Sequence, residues 1–170
     1  MNNITFFVKN PFGKYFLENI NILKDFCKNS ELNYNYIINV STLSKEESFL
    51  YKKHTKKINA FYGGESFCDC LNEYIYDFCN DDPDLVIIID CDKKITRNYL
   101  IQFILDVELS SHESSYVSDK VYAFKAKTNG YRVSTCENSI LKYKGVVIEN
   151  GKFKEKTVSS EQLPKKVLTY

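Results

Sequence analysis

The chain has 170 residues, of which 44% are hydrophobic and 26% are charged, a mixture typical of one globular domain and unlike that of a disordered chain. Its net charge of +1 gives no reason to expect a nucleic-acid partner or binding to an anionic membrane. No apolar run approaches the roughly 20 residues that cross a bilayer, and the first residues lack a secretion-signal pattern, so we expect a cytoplasmic protein without a membrane span.

Cysteine and histidine are too scattered to predict a zinc site, because no pair of Cys-x-x-Cys motifs occurs. The residues are Cys27, Cys68, Cys70, Cys79, Cys91, Cys136, His54 and His112. We expect the cysteines to be buried, reduced thiols.

Strand and helix patterns alternate over the first two thirds of the chain. Short β-branched or apolar runs predict strands at residues 4–8, 34–40, 58–62 and 85–89. Apolar residues at helical spacing predict helices at 14–28, after the hydroxyl cap at 41–44, at 67–78 and after Thr96. This order predicts an α/β fold with a mostly parallel sheet flanked by helices.

The last third of the chain carries fewer patterns. Residues 110–118 are polar and predict a loop, and a helix is predicted from a Ser118 cap to residue 127. Strands are predicted at 131–135 and 145–148, and Asn150-Gly151 predicts a hairpin that leads into a strand at 152–156. No linker or repeat divides residues 1–170, so we expect a single domain.

Two carboxylates follow the strand with the longest apolar run. Asp90 and Asp92 come directly after Leu-Val-Ile-Ile-Ile, and open parallel sheets bind ligands beyond the carboxyl ends of their strands. Two carboxylates one residue apart can share a divalent cation that neutralises a diphosphate. The alternative interpretation, that these aspartates only cap the following turn, stays open on this segment alone.

Several stretches, in order along the chain, resemble the GT-A fold glycosyltransferases of inverting family 2. They are Phe6-Phe-Val-Lys-Asn10 with the helix that follows, Tyr36-Ile-Ile-Asn-Val-Ser41-Thr42, Gly63-Gly64 through Asn72, the Asp90-Cys-Asp92 strand, and Ser118-Asp119 through Gly130-Tyr131. The last stretch resembles the Glu-Asp motif of the family, its basic helix and its Gly-Tyr strand. The resemblance implies a GT-A-like, Rossmann-like domain with a carboxyl-terminal β-hairpin.

The resemblance also implies roles for individual residues. Asp92 would be the principal carboxylate for Mn²⁺ or Mg²⁺ beside a nucleoside-diphosphate-sugar, and Asp90 would contact the ribose or the metal. Asp119 would be the general base. The donor nucleoside would lie against Val8, Asn10, Asn39 and Ser41. The implied activity is that of a hexosyltransferase-type enzyme that inverts the sugar. Its acceptor would be a hydroxyl of a saccharide, a protein or a lipid-linked group, and a homo-oligomer is compatible with the resemblance.

The chain also departs from the family pattern. Ser118 replaces the Glu of the Glu-Asp motif, no acidic residue follows the second strand, and Tyr143 stands near the position of a late His. The interval 93–118 is shorter than the one in which the family builds its acceptor pocket. Two alternatives follow, a non-catalytic GT-A-like domain that binds a nucleotide-sugar or a protein, and a nucleotidyltransferase-type domain. The second is disfavoured because the first loop is not rich in Gly with Lys or Arg.

Overall fold

The computed structural model describes residues 2–9, 13–42, 59–62, 83–110, 112–113, 115–125, 131–137, 140–159 and 165–170. Its strands are β1 (Asn3–Lys9), β2 (Asn35–Thr42), β3 (Asn59–Tyr62), β4 (Leu85–Asp90), β5 (Ser115–Val117), β6 (Val121–Lys125), β7 (Tyr131–Glu137), β8 (Ile140–Glu149), β9 (Lys152–Ser159) and β10 (Lys165–Val167). Within these ranges two helices occur, α1 (Phe16–Asn29) and α2 (Arg97–Leu109). The predicted helices after residue 44 and at 67–78 lie outside the described residues.

The larger sheet has seven strands in the order β10-β5-β6-β4-β1-β2-β3. Strands β4, β1, β2 and β3 run parallel, β6 runs antiparallel to both β4 and β5, and β10 is parallel to β5. A mostly parallel sheet of this kind requires crossover connections such as the one that α1 makes between β1 and β2. The predicted α/β architecture is therefore confirmed.

Burial of β4 explains its sequence. All five residues from Leu85 to Ile89 are buried, as expected for a strand covered on both faces of the sheet. One face packs against the apolar stripes of the two helices. The residues that share this core include Ile4, Phe6, Val8, Ile20, Leu23, Phe26, Leu85, Ile87, Ile89, Leu100, Phe103, Ile104 and Val107.

Local signals in the sequence account for two element ends. The Oγ1 of Thr96 accepts a hydrogen bond from the Tyr99 amide at 3.2 Å, which confirms the predicted cap of α2. Between β8 and β9, Asn150 and Gly151 both have positive φ angles, 51° and 73°, as a two-residue hairpin turn requires. Strands β7, β8 and β9 form a second, three-stranded antiparallel sheet, which contains the predicted carboxyl-terminal hairpin.

The predicted helix at 118–127 is wrong. Residues 121–125 form β6, which pairs with β4 from Val121 opposite Ile89 to Lys125 opposite Leu85. The Ser118 hydroxyl, expected to cap a helix, instead accepts the Val121 amide at 3.1 Å and closes a tight turn. The predicted loop at 110–118 contains β5, and β10 was not predicted. None of the helices in the described ranges is long and apolar enough to cross a membrane.

Candidate functional site

Three adjacent parallel strands end side by side at one edge of the larger sheet. Lys9 at the end of β1 pairs in register with Asp90 at the end of β4. On its other side, β1 pairs with β2 up to Val8 opposite Val40, and Ser41 is the next residue of β2. This is the edge where parallel sheets bind ligands. We call it the carboxyl edge.

The chain turns sharply as it leaves β4. The Oδ1 of Asp90 accepts a hydrogen bond from the Asp92 amide at 3.0 Å, and its carbonyl accepts one from the Lys93 amide at 3.1 Å. Asp90 is half-buried and Asp92 is exposed. Asp90 thus stabilises the turn, as the capping interpretation predicts. A carboxylate has about four lone-pair sites, however, so this one hydrogen bond does not prevent it from also binding a cation.

Gly13 brings the loop between β1 and α1 into contact with this turn. A Cβ atom at position 13 would lie 2.5 Å from the Cys91 carbonyl carbon and 2.7 Å from its oxygen, closer than any side chain tolerates. The Tyr15 amide donates to the same carbonyl oxygen at 2.8 Å. The approach therefore requires glycine, and it joins the first loop to the Asp90–Asp92 turn.

Asn19 holds the residues that follow the turn. Its Nδ2 donates to the Lys93 carbonyl at 2.8 Å, and its Oδ1 accepts from the Ile95 amide at 3.1 Å. The side chain is fully buried, although it lies on the apolar face of α1 beside Ile20 and Leu23. Sequence reasoning missed Asn19. The sequence did contain a hint, because Asn19 lies on the apolar face of the predicted helix. A polar side chain on such a face is buried and must find hydrogen-bond partners.

Cys91 lies between the two aspartates but is poorly suited to bind a metal. Its side chain is fully buried, and burial raises the pKa of its thiol to about 12. The neighbouring charges of Asp90 and Asp92 act in the same direction. With so high a pKa the Cys91 thiol stays protonated at neutral pH, and it is a poor metal ligand because cysteine binds metals as the thiolate.

Asp119 lies in the turn between β5 and β6. Since β6 begins at Val121 opposite Ile89, this turn lies beside the end of β4. The Lys93 Nζ donates to the Asp119 carbonyl at 2.6 Å and so connects the two turns. The structure thus brings all three predicted aspartates to the carboxyl edge, although Asp119 belongs to an antiparallel hairpin and not to a helix.

Three of the four residues predicted to contact the nucleoside, Val8, Asn39 and Ser41, are buried toward the same end of β1 and β2. Val8 is fully buried on the helix-covered face, and its carbonyl accepts a hydrogen bond from the Ser41 Oγ at 3.1 Å. Asn39, in register with Phe7, is also fully buried, and its carboxamide has no hydrogen-bond partner in the part of the chain that the structure describes. Asn10 lies outside that part.

No group of three or more His, Cys, Asp and Glu side chains among the described residues could hold a metal ion. Asp90 and Asp92 alone would give a divalent cation two carboxylates. Magnesium is often bound in this way, by one or two carboxylates with the other ligands supplied by water and substrate phosphates. The two aspartates therefore fit a cation that binds together with a phosphate-bearing ligand.

Neither a protein-family model nor a curated protein sequence matches this chain. Among solved structures, the chain is similar to 4-diphosphocytidyl-2C-methyl-D-erythritol synthase from Anaerococcus prevotii DSM 20548, with a TM-score of 0.50 and 11% identity over 74% of this chain and 70% of that one. This similarity concerns the fold alone.

Two further structures are less similar. They are S. aureus TarS 1-349, with a TM-score of 0.45 and 11% identity over 69% of this chain, and a cytidylyltransferase from Leptospira borgpetersenii serovar Hardjo-bovis (strain JB197), with 0.46 and 12% over 74%. The chain covers 35% of the TarS structure and 60% of the cytidylyltransferase. From its sheet order and its similarity to the synthase, the chain has a GT-A-like α/β fold.

Proposed function

We propose that the protein is a metal-assisted glycosyltransferase that moves a sugar from a nucleoside-diphosphate-sugar to a hydroxyl acceptor with inversion. The observation that supports the proposal is that the turn with Asp90 and Asp92 and the turn with Asp119 lie side by side at the carboxyl edge, joined by Lys93. Two of these carboxylates follow a buried parallel strand, and the third arrives on a separate hairpin. Transfer of a sugar needs groups that hold the sugar donor on one side of the reacting carbon and a base for the acceptor hydroxyl on the other.

Asp90 and Asp92 would hold Mn²⁺ or Mg²⁺. Bound there, the cation would neutralise the negative charge that builds up on the leaving diphosphate. The aspartates themselves orient the donor, because the turn that carries them is fixed by Gly13 and Asn19 from inside the fold. Holding reactants in one geometry is itself a large contribution to rate.

Asp119 would act as the general base. Its carboxylate would accept the proton of the acceptor hydroxyl while that oxygen forms a bond to the anomeric carbon of the sugar. The bond between the anomeric carbon and the diphosphate oxygen would break on the opposite face, which inverts the centre. A base in this role needs hydrogen-bond reach to the hydroxyl, and the exposure of Asp119 allows an acceptor to approach.

The nucleoside would lie against the ends of β1 and β2. Asn39 supports this placement, because its carboxamide has no hydrogen-bond partner among the described residues and offers both a donor and an acceptor. The donor and acceptor together match the edge of a nucleobase. Ser41, Asn10 and the backbone of Val8 would complete this side of the site.

A second candidate is a non-catalytic domain that binds a nucleotide-sugar or a protein. The observation that favours it is that secondary structure occupies most of the interval between Asp92 and Asp119. Within that interval α2 takes residues 97–109 and β5 takes 115–117, which leaves little chain to build an acceptor pocket.

Thermal denaturation with UDP-, GDP- and CDP-sugars, with and without Mn²⁺, tests the proposal. A donor at about 100 times its Kd stabilises the fold by about 2.7 kcal/mol, which raises the Tm of a chain of this size by about 5–10 °C. We expect this rise only when metal and the matching donor are both present. Asp92→Asn should abolish it, and the matched control Glu31→Gln, an exposed carboxylate before β2, should preserve it.

If no donor raises the Tm in the presence of Mn²⁺, both candidates that bind nucleotide-sugars fail. Where a donor does bind, Asp119→Asn separates the enzyme from the binding domain. Lost turnover with retained donor binding would mark the enzyme, whereas unchanged turnover would remove Asp119 as the base.

A further inference from the structure

Tyr99, in the first turn of α2, contacts the turn that carries Asp119. Its hydroxyl donates to the Asp119 Oδ1 at 2.9 Å and also lies in hydrogen-bond contact with the Ser118 Oγ. The Ser118 Oγ also accepts a hydrogen bond from the Val121 amide, so the phenol contacts a turn that is itself closed by hydrogen bonds. An exposed aspartate in such a turn would otherwise sample several rotamers.

Tyr99 is itself held in place by neighbours from other parts of the chain. The ring of Tyr170 packs edge-on against it, with centroids 5.0 Å apart and planes at 71°, and the Lys120 Nζ lies 5.1 Å from its centroid. The Tyr170 hydroxyl donates to the Asp106 Oδ2 at 2.6 Å, and Asp106 lies about two turns after Tyr99 in α2. Tyr99 therefore has little freedom to leave Asp119.

Strand pairing sets the position of Tyr170. Residues 165–167 form β10 on the edge of β5, and the Leu168 amide extends the pairing to the Val117 carbonyl at 2.8 Å. Leu168 is buried, and the Lys166 Nζ donates to the Ser110 Oγ at 2.5 Å. The segment 165–170 is thus docked beside the hairpin, and it delivers an aromatic ring to Tyr99.

We propose that Tyr99 is a positioning residue that holds the Asp119 carboxylate in one orientation, and that Tyr170 keeps Tyr99 in place. The catalytic consequence rests on the proposed function, in which Asp119 is the base. Burial, together with the hydrogen bond to Asp119, raises the pKa of Tyr99 to about 12, so the phenol remains a hydrogen-bond donor at neutral pH. A donor that stays protonated can hold a carboxylate in one orientation at that pH.

Tyr99→Phe tests the proposal, because it removes the hydroxyl and keeps the ring. The matched control is Tyr36→Phe, which also removes a contact between a phenol and a serine hydroxyl, to Ser30 at 3.2 Å, but near the opposite edge of the sheet. The first measurement is the pair of three-bond Hα–Hβ couplings of Asp119 by NMR, which reports its rotamer without any need for turnover. The second is kcat and donor KM, and the Tm of each variant verifies folding.

In the wild type and in Tyr36→Phe we expect the couplings of a single rotamer, which are either one large and one small or two small ones. Tyr99→Phe should average them, and it should lower kcat by about 10- to 100-fold with donor KM unchanged. Tyr170→Leu, which loses the ring contact, should show a smaller change in the same direction, and Tyr170→Phe should show almost none.

Unaveraged couplings in a folded Tyr99→Phe variant would overturn the proposal whether or not a reaction is found. Averaged couplings with unchanged kcat would overturn its catalytic part. If the wild type turns over no nucleotide-sugar, the proposed function fails, and the couplings alone still decide whether Tyr99 positions Asp119.

Discussion

The carboxyl edge is built from two regions that are held in different ways. On the parallel side, the Asp90–Asp92 turn is fixed by the buried Asn19 of α1 and by the close approach of the half-buried Gly13 in the loop before α1. On the antiparallel side, the Asp119 turn is held by half-exposed polar contacts, chiefly from Tyr99. The Asp90–Asp92 turn, the donor half of the proposed site, is therefore tied to the core, whereas the Asp119 turn, its proposed base half, is attached nearer the surface.

This difference predicts different costs of mutation on the two sides. Changes that loosen the donor half should lower the stability of the whole domain, because they leave buried groups without partners. Changes in the base half should alter the orientation and local dynamics of Asp119 with little change in stability, because the contacts there are partly exposed to solvent.

The largest effect is expected from Asn19→Ala. It removes two hydrogen bonds and leaves the Ile95 amide buried without its partner, so we expect the free energy of unfolding to fall by about 2–4 kcal/mol. Urea denaturation at constant m-value measures this change. The control is Asn29→Ala in the same helix. The Asn29 side-chain amide donates to the Asp25 Oδ1 at the surface, so its loss should lower the free energy of unfolding by less than about 0.5 kcal/mol. Equal losses in the two variants would show that the donor half is not fixed from the core.

The smallest effect on stability is expected from Lys93→Met, which cuts the link between the two turns. The Lys93 ammonium is exposed, so the free energy of unfolding should change by less than about 0.5 kcal/mol. Hydrogen exchange of the Asp119 and Lys120 amides should nevertheless become faster, because the Asp119 carbonyl loses its partner. Lys94→Met is the matched control, since the Lys94 Nζ pairs with the Glu18 Oε2 of α1 at 3.4 Å and not with the Asp119 turn. Unchanged exchange in Lys93→Met would mean that the two turns are independent.

The sequence predicted the parallel region well because its patterns are local and strong. The apolar run of β4 has no polar break, so its burial in the centre of a sheet followed directly. Outside that region, the Asn150-Gly151 turn of the second, antiparallel sheet was equally clear, because few residue pairs adopt two positive φ angles. Asn19 was missed because an amide is common on a helix, and only the fold reveals the backbone groups that it binds.

The hairpin of β5 and β6, which carries Asp119, was predicted wrongly for a physical reason. Four consecutive residues of β6, Val-Tyr-Ala-Phe, are apolar or aromatic, so neither a period of two nor one of 3.6 stands out. The resemblance to the basic helix of the glycosyltransferase family then favoured a helix, but pairing with β4 determines the structure. Contacts between Tyr99 and Tyr170 join residues far apart in the chain, and no local pattern predicts them.

The measurement that tests the central claim most directly is paramagnetic broadening of amide NMR signals by substoichiometric Mn²⁺, recorded with the nucleotide-sugar that gives the largest thermal shift. We expect selective broadening at residues 90–93 and 119–120, which belong to the two sides of the carboxyl edge. The amides of residues 31–34, before β2 at the opposite edge, should keep their intensity. Broadening at the opposite edge, or none at 90–93, would contradict a metal and nucleotide-sugar site at the carboxyl edge.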